Sequence, residues 1–457
     1  MSRPVRHSRI HWLLVLALAT VFIGGCTMVQ PRSEVDRTAR TQHPLVAQAS
    51  ALAQSPQGAD AAAIQALLAQ LDDATLSSEA AALAQGDPLY NHMGRELLRR
   101  GIALPRPLDR AAWQFDAGSR PPADNDGYRP PMKVAVLLPL SGDLARAAEP
   151  VRDGFLAGYF HEHRRRPEVS FIDTHGTSGG ALAAYDEAVA ATNDFIVGPL
   201  GRDEVDALFR RGNLSVPVLA LNRGDVDPPA GNASFALSPE DEGSAAADFL
   251  AQQGARRVLV VSGGDAVQRR SVDAFRTRLA ELGGEVTDVA TSGIADLTPF
   301  ATREGGIDAV FLAIRGNTAR ELMPRLAMAG LAGKPRVATS HLLQGTGEPA
   351  EDRVLDGTAF PGEHWTSGGH IPGLPSADSA AQTLPTARGG AARLFAFGHD
   401  AWLLTAYLEK LAFSAASEVR GATGMLSIDE LGHVRRTPAW STFSAGVPVT
   451  LDNAGRY

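Results

Sequence analysis

Beyond Met132 the chain alternates apolar runs with amphipathic stretches, and this alternation restricts the folds it can adopt more than any other feature. Residues 133–140 (KVAVLLPL) form a continuous apolar run, as expected of a strand buried on both faces of a sheet. Leu144, Ala148 and Val151 then recur at helical spacing. Further strands are predicted at 168–172, 195–197, 216–220, 257–261, 285–290, 308–313 and 335–338. We therefore expect an α/β fold of two lobes, each with a doubly wound parallel sheet.

The stretch at 116–131 (DAGSRPPADNDGYRPP) is rich in Pro, Gly and Asp and is predicted to be a linker. It separates a short all-α segment at 45–115 from the α/β domain at 132–457. Within that domain we expect lobe 1 at about 132–254 and 415–457, and lobe 2 at about 255–414.

The segment before the linker is rich in Ala, Leu and Gln and is predicted to form short antiparallel helical hairpins, like a fragment of a solenoid. Ile64 and Leu68 lie on one face of a helix. Ser77 or Ser78 is expected to cap a second helix, and a third should stop at Gly101. No 34-residue period marks the segment as a tetratricopeptide repeat.

The stretch from Gly362 to Ala392 is too long and too rich in Gly, Ser and Pro for an ordinary connection. It is predicted to be a mobile excursion or a binding loop. Trp365 lies in it, and two interpretations remain open. The indole could be an exposed anchor for a protein partner, or it could fold back to cover lobe 2.

The first 25 residues are typical of a secretory signal peptide. A basic start precedes a twelve-residue apolar run from Trp12 to Ile23. At ~1.5 Å per residue this run covers about 18 Å, too little for a hydrocarbon core of ~30 Å. We therefore expect removal of residues 1–25 rather than a transmembrane anchor.

The end of this segment, IGGC at 23–26, resembles a bacterial lipobox. The resemblance implies that Cys26 is lipidated and becomes the mature N-terminus, and that residues 26–44 form a flexible tether to the membrane. Thr27 stands where an Asp would retain a lipoprotein at the inner membrane, which implies sorting to the outer membrane. The alternative is an ordinary signal peptide with a chance cysteine.

Charge and cysteine content exclude several classes of protein. Lys plus Arg total 43 against 51 Asp plus Glu, giving a net charge of −8. A nucleic-acid-binding protein needs a basic face, so we expect no nucleic acid partner. The single cysteine excludes internal disulfides and cysteine-rich metal sites.

One sequence pattern matches a motif found in hydrolases. Residues 176–180 (GTSGG) satisfy G-x-S-x-G, with Ser178 in the nucleophile position. A nucleophile elbow requires a sharp turn directly after the strand, whereas the preceding strand is predicted to end near Ile172. A strand-to-helix loop is therefore the expected structure.

Other polar residues give no catalytic or metal site. His399 and Asp400 are adjacent on a helix, so their side chains point in different directions. His161 and His163 are two apart, which also separates their side chains, and no metalloprotease or phosphate-loop motif is present. We expect no catalytic residue, no metal and no cofactor.

A binding cleft remains a candidate, because ligands of two-lobed α/β proteins lie at the carboxyl ends of the strands. Leu200 follows Gly-Pro where amino-acid receptors of this type carry small or hydroxyl residues. We therefore do not expect a resident small ligand, although a cleft site stays open. The candidate residues are Ser141, Gly142, Asp173, Thr174, Pro199, Leu200 and Asn222.

Several segments resemble known proteins. LLPLSG, VRDGFLAGYF, FIDT and IVGPL are similar to a type I periplasmic binding protein. Five more are similar, in the same order, to the C-terminal domain of the penicillin-binding protein activator (LpoA) family: VPVLALN (216–222), FALSPEDEG (235–243), ATS (338–340), RLFAFGHDAWLL (393–404) and GATGMLSID (421–429).

The resemblance implies an outer-membrane lipoprotein that faces the periplasm, is not an enzyme, and binds and activates a class A (bifunctional) penicillin-binding protein in peptidoglycan synthesis. Better-known members carry a longer helical-repeat domain at the N-terminus, where this chain has only the 45–115 segment. The alternative is a lipid-anchored periplasmic receptor for an amino acid or peptide.

Overall fold

The computed structural model describes residues 42–55, 60–109, 120–414 and 416–451. The predicted signal peptide, Cys26 and the tether up to residue 41 lie outside the described residues, as does the start of the predicted linker. Among the helices that the structure describes, none combines the length and hydrophobicity needed to cross a membrane.

The described residues of the N-terminal helical segment form four short helices: α1 (Pro44–Ala53), α2 (Ala61–Leu68), α3 (Asp73–Ala82) and α4 (Pro88–Arg99). The expected caps at Ser77 or Ser78 are wrong, since both serines lie inside α3. Asp72 caps this helix instead, because its carboxylate accepts a hydrogen bond from the Thr75 N–H at 2.9 Å. Leu68 and Tyr90 are buried in the shared core of the segment.

Lobe 1 contains a five-stranded parallel sheet in the order β2-β1-β3-β4-β5. Its continuous apolar strands are covered on both faces, as predicted from their sequence. The strands are β1 (Lys133–Leu138), β2 (Glu168–Asp173), β3 (Phe195–Val197), β4 (Val218–Ala220) and β5 (Ala233–Ser234). Three helices lie between them: α5 (Ala145–His161), α6 (Ser178–Ala190) and α7 (Arg202–Phe209).

Lobe 2 begins with α8 (Pro239–Gln252) and contains a seven-stranded sheet, ordered β15-β14-β10-β9-β8-β6-β7. Five strands are parallel: β6 (Arg257–Ser262), β7 (Glu285–Thr291), β8 (Ala309–Ala313), β9 (Arg336–Ala338) and β10 (Thr358–Gly362). Two antiparallel strands, β14 (Ala439–Ser444) and β15 (Val447–Thr450), extend one edge. The helices are α9 (Ala266–Glu281), α10 (Thr298–Ala301), α11 (Gly316–Met328) and α12 (Pro349–Asp352).

The chain then returns to lobe 1 through α13 (Ala377–Thr383) and the long helix α14 (Gly389–Phe413). A small antiparallel sheet follows, consisting of β11 (Val419–Arg420), β12 (Met425–Ile428) and β13 (Val434–Thr437). Val434 belongs to the lobe 1 core, and Ser234 of β5 forms a bridge with His433. The small sheet is therefore part of lobe 1.

The lobes differ from the predicted division in three places. Helix α14 packs along α5 in lobe 1, whereas α8, β14 and β15 belong to lobe 2.

Two glycines allow α5 and α14 to touch through their backbones. A Cβ on Gly154 would lie 1.9 Å from the Phe395 carbonyl oxygen, and one on Gly398 would lie 2.0 Å from that of Val151.

The stretch between β10 and α14 is folded rather than an open excursion. Trp365 is 1% exposed, stacks on Phe395 at 5.3 Å between ring centroids, and donates from Nε1 to the Pro375 carbonyl at 2.8 Å. Its cluster includes Ala157 of α5. Both predicted roles for Trp365 are therefore wrong, since it is neither an exposed anchor nor a cover for lobe 2. It packs within lobe 1.

Candidate functional site

The predicted cleft residues of lobe 1 lie together where the strands end. Asp173, at the end of β2, accepts hydrogen bonds on Oδ1 from the backbone N–H groups of Leu140, Ser141 and His175 at 2.9, 3.3 and 2.8 Å. Burial disfavours the charged form of this carboxyl, but the hydrogen bonds outweigh burial and lower its pKa. Asp173 therefore organises the loops of its own lobe.

The remaining predicted residues are also engaged within lobe 1. Thr174 is fully buried, and Asn222 donates from Nδ2 to the Leu200 carbonyl at 2.8 Å. Pro199 follows Gly198 through a cis peptide bond. Gly142 adopts φ +79°, a conformation that favours glycine, and lies against the His175 backbone.

One group of side chains resembles a catalytic triad and consists of Ser141, His175 and Asp173. The Ser141 Oγ lies 2.8 Å from His175 Nδ1, and the Asp173 Oδ2 lies 3.0 Å from the same nitrogen. A triad needs the serine on one ring nitrogen and the carboxylate on the other, because the ring passes the proton between them. This arrangement cannot activate Ser141 in that way.

The G-x-S-x-G pattern is a helix start, so the expected strand-to-helix loop is limited to residues 174–177. Thr177 caps α6 by accepting from the Gly180 N–H at 3.0 Å, and the Ser178 hydroxyl donates to the Asp203 carbonyl at 3.1 Å. A Cβ on Gly180 would lie 2.0 Å from the Thr174 carbonyl oxygen. The glycine is therefore needed for close backbone packing.

Asp400 links α14 to the small sheet. It is fully buried and accepts from the backbone N–H of Ala422 at 2.6 Å, and from the backbone N–H and hydroxyl of Thr423 at 2.8 and 2.6 Å. These three hydrogen bonds account for most of the carboxylate's bonding capacity. The expectation that the two side chains point in different directions is wrong, because His399 Nδ1 lies 3.3 Å from Asp400 Oδ1. Within the described ranges, no group of three His, Cys, Asp or Glu side chains could hold a metal ion.

Charged residues connect the two lobes just beyond the carboxyl ends of β9 and β10. Arg393 of lobe 1 pairs with Glu242 of lobe 2, and its Nη1 donates to the Ser340 hydroxyl at 2.6 Å. Its Nε lies 2.8 Å from Glu363 Oε1, and Arg436 lies 3.9 Å from the same oxygen. We call these five residues the interlobe cluster.

The interlobe cluster is balanced in charge, with two arginines and two glutamates, and three of its members, Glu242, Glu363 and Arg436, are buried. Burial alone would raise the pKa of Glu242, but Arg393 and Arg436 outweigh it and lower that pKa. Ser340 adds two hydrogen bonds to the same carboxylate, from its backbone N–H at 2.9 Å and its hydroxyl at 2.7 Å. The cluster therefore connects the lobes, and its polar groups bond to one another.

A second set of ion pairs connects the helical segment to both lobes. Arg95 of α4 lies 3.2 Å from Asp429 in the β12–β13 turn of lobe 1. Arg435 lies 3.1 Å from Asp429 and 3.4 Å from Asp241 of lobe 2. Arg223, which follows β4, pairs with Asp241 at 3.1 Å. We call these five residues the three-way junction, because they join three parts of the chain.

A histidine pair extends this junction. His433 Nε2 lies 2.8 Å from Asp227 Oδ1, and its Nδ1 lies 2.7 Å from the Ser234 hydroxyl. His92 of α4 approaches the other Asp227 oxygen at 3.7 Å. Burial lowers the pKa of His92, which the negative charge of Asp227 only partly offsets.

The three-way junction borders a groove of about 1220 Å³. One wall is α4 of the helical segment, and the other is formed by α8 and α9 of lobe 2. Phe249 and Trp440 pack against each other in its lining, with ring centroids 4.2 Å apart. The shape of the groove thus depends on how the helical segment is held against lobe 2.

Neither cluster was predicted from the sequence. The acidic run at 240–242 lies in the first turn of α8, which Ser238 caps by accepting from the Asp241 N–H at 3.1 Å. This helix start also supplies Asp241 and Glu242 to the two clusters. Three consecutive carboxylates were the one available signal, and their partners lie in distant parts of the chain.

The profile of the family described as "LppC putative lipoprotein" matches residues 127–300 and 293–446. The penicillin-binding protein activator LpoA of Vibrio vulnificus is 29% identical over 360 residues, which cover 69% of this chain and 58% of that protein. The chain thus spans less than two thirds of the length of this relative. These matches confirm the resemblance found in the sequence.

Solved structures confirm the two-lobed fold. The C-domain of Haemophilus influenzae LpoA, described as a regulator of PBP1A, superposes with a TM-score of 0.61 at 23% identity and covers 70% of this chain and 100% of that one. A structure from Chromobacterium violaceum, described as "a putative branched-chain amino acid ABC transporter", superposes with a TM-score of 0.55 at 26% identity and covers 68% and 100% of the two chains.

Proposed function

Because this chain belongs to the LppC family, we propose that it binds and activates a class A penicillin-binding protein. The proposal includes lipidation at Cys26, insertion in the outer membrane and an orientation toward the periplasm. It assigns no chemistry to the chain itself. The activator would act by binding the active conformation of the synthase more tightly than the inactive one, a coupling of about 1–3 kcal/mol.

The observation that carries this proposal is the pair of charged clusters. The interlobe cluster joins the two lobes, and the three-way junction joins both lobes to the helical segment. A surface composed of several parts must be held in one shape before it can select one conformation of a partner. The groove between α4 and lobe 2 is such a surface.

The same clusters argue against a solute receptor. A receptor of this fold closes its lobes on a ligand, whose charged groups meet protein groups in the cleft. Here Arg393 and Glu242 meet each other, and the predicted cleft residues of lobe 1 bond within their own lobe.

The test is glycan synthesis from lipid II by the organism's purified class A synthases, with and without residues 27–457 of this protein. Faster polymerisation or crosslinking by one synthase is the expected result. Unchanged rates with every synthase, together with thermal stabilisation by an amino acid or peptide, would replace the proposal with the receptor.

A further inference from the structure

A smaller cavity of about 340 Å³ lies in lobe 1, away from the cleft. Helix α5 begins after β1 at the cleft edge of the sheet and ends at the opposite edge, where β2 begins. The cavity lies at this far end, between the last turn of α5, the middle of α14, the loop at 371–373 and β11. Its volume is near the lower end of the ~300–1,000 Å³ range of small-molecule pockets.

Backbone contacts shape the walls of this cavity. A Cβ on Gly158 would lie 2.4 Å from Cδ1 of Trp402, so the indole packs directly on the backbone of α5. Gly373 adopts φ +90°, and a Cβ there would lie 2.9 Å from Cδ2 of His161. With Ile371, these side chains give the cavity a partly apolar wall.

Several polar groups around the cavity already have partners. Arg164 pairs with Glu162 at 2.8 Å and lies over the Tyr128 ring, 3.7 Å from its centroid. The Tyr407 hydroxyl donates to the Asp126 carboxylate. The one carboxylate in the lining, Glu162, is thus paired with Arg164, which also pairs with Asp126 at 3.0 Å.

The remaining polar side chains are all nitrogen bases. In the part of the chain that the structure describes, the Arg420 guanidinium and the rings of His161 and His163 form no hydrogen bond or ion pair. The expected separation of His161 and His163 is wrong, because α5 ends at His161 and the two ring centroids lie 5.6 Å apart. His399 uses Nδ1 toward Asp400 at 3.3 Å, which leaves Nε2 for a ligand.

We propose that this cavity binds a small carboxylate with an apolar or ring-shaped body. Arg420, His161 and His163 are exposed to solvent at the cavity and have no acceptor within the described chain, so they can turn to a negatively charged group. A guanidinium binds a carboxylate through two parallel hydrogen bonds. The apolar wall would cover the body of the ligand. Two constituents of the cell wall carry this chemistry, namely a sugar acid and the C-terminal carboxylate of a short peptide.

Calorimetric titration of residues 27–457 with four probes distinguishes these sources. N-acetylmuramic acid is compared with N-acetylglucosamine, which lacks the carboxylate. N-acetyl-D-alanyl-D-alanine is compared with its C-terminal amide. The choice of cell-wall probes rests on the proposed function, but the assay contains no synthase, so its failure would leave the activation experiment unaffected. We expect one carboxylate to bind and its uncharged counterpart not to bind.

Substitutions locate the binding. Arg420→Gln and His161→Gln should each weaken binding about tenfold, since each removes a charge-assisted hydrogen bond. Arg276→Gln is the matched control, because Arg276 is exposed on α9 and outside the cavity, and among the described residues its ion pair is with Asp273 of its own helix. The proposal is wrong if neither carboxylate binds at about 10 mM, if a carboxylate and its counterpart bind equally, or if the Arg420→Gln/His161→Gln double variant binds like the control.

Discussion

Arg393 of lobe 1 and Glu242 of lobe 2 form an ion pair that spans the cleft, and each has further partners in the same cluster. The negative charges of Glu242 and Glu363 outweigh the effect of burial and raise the pKa of Arg393. The pair thus fixes the charged forms of both residues and the contact between the lobes.

Replacing Arg393 by Gln should destabilise the fold by about 3 kcal/mol, because Glu242 would stay buried without its main counter-charge. Urea unfolding followed by circular dichroism measures the change. Arg276→Gln serves as the exposed control and should change stability by less than about 0.5 kcal/mol. Equal midpoints for the two variants would contradict a structural role for the interlobe cluster.

Low pH should destabilise the folded protein through protonation of its buried carboxyl groups. Burial opposes ionisation of Asp241, Glu242 and Asp429, but neighbouring arginines outweigh it and lower all three pKa values below their ordinary values of 3.8 for Asp and 4.5 for Glu. The unfolded chain then binds more protons than the folded one as the pH falls below about 4.5. The free energy of unfolding should fall steadily from pH 4.5 to pH 2.5, and Glu242→Gln should reduce this slope.

His92 should give a separate pH dependence. Burial lowers the pKa of His92 below 6.5. As the pH falls through 6.5, His92 therefore binds a proton in the unfolded chain but stays neutral in the folded one. The free energy of unfolding should therefore decrease from pH 7 to pH 5, and His92→Gln should flatten this part of the curve. An unchanged slope in the variant would show that another group is responsible.

Gly398→Ala should destabilise lobe 1 by about 1–3 kcal/mol or more, because the new methyl group would meet the Val151 carbonyl at 2.0 Å. Gly179→Ala in α6 is the matched control, since a Cβ there meets nothing within 4 Å. That substitution should leave stability unchanged or raise it by about 0.5–1 kcal/mol. Thermal unfolding of both variants distinguishes the effects.

Arg95→Glu should release the helical segment, because it would place a third negative charge beside Asp429 and Glu430. Limited proteolysis should then cut sooner between α4 and β1, and stimulation of the synthase should fall if the groove is the partner surface. Arg276→Glu is the control for charge reversal. A variant that is cut sooner but still fully stimulates the synthase would exclude the groove as that surface.

The strands could be predicted from the sequence because their signal is local. A continuous apolar run such as 133–140 is typical of a strand buried on both faces of a sheet. All eight predicted strands are present. The cap at Ser77 or Ser78 was mispredicted because Asp72 offers a stronger acceptor a few residues earlier.

Long-range packing could not be predicted in the same way. Helix α14 is apolar on most faces, so its sequence does not reveal which lobe it joins, and the contacts of Gly154 and Gly398 appear only when both helices are placed. Trp365 likewise stacks on Phe395, which lies thirty residues later in the sequence. The charged clusters combine residues from α4, α8, α14 and the β12–β13 turn.

The return of α14 to lobe 1 has a consequence for the order of folding. Lobe 1 begins at β1, yet its core includes Phe397, Trp402 and Leu426, which follow the five parallel strands of lobe 2 in the chain. Lobe 2 in turn lacks its edge until β14 and β15 arrive. Because synthesis proceeds from the N-terminus, neither lobe can be completed while the C-terminal part is still missing. Both lobes should therefore reach their native cores only once synthesis is nearly finished.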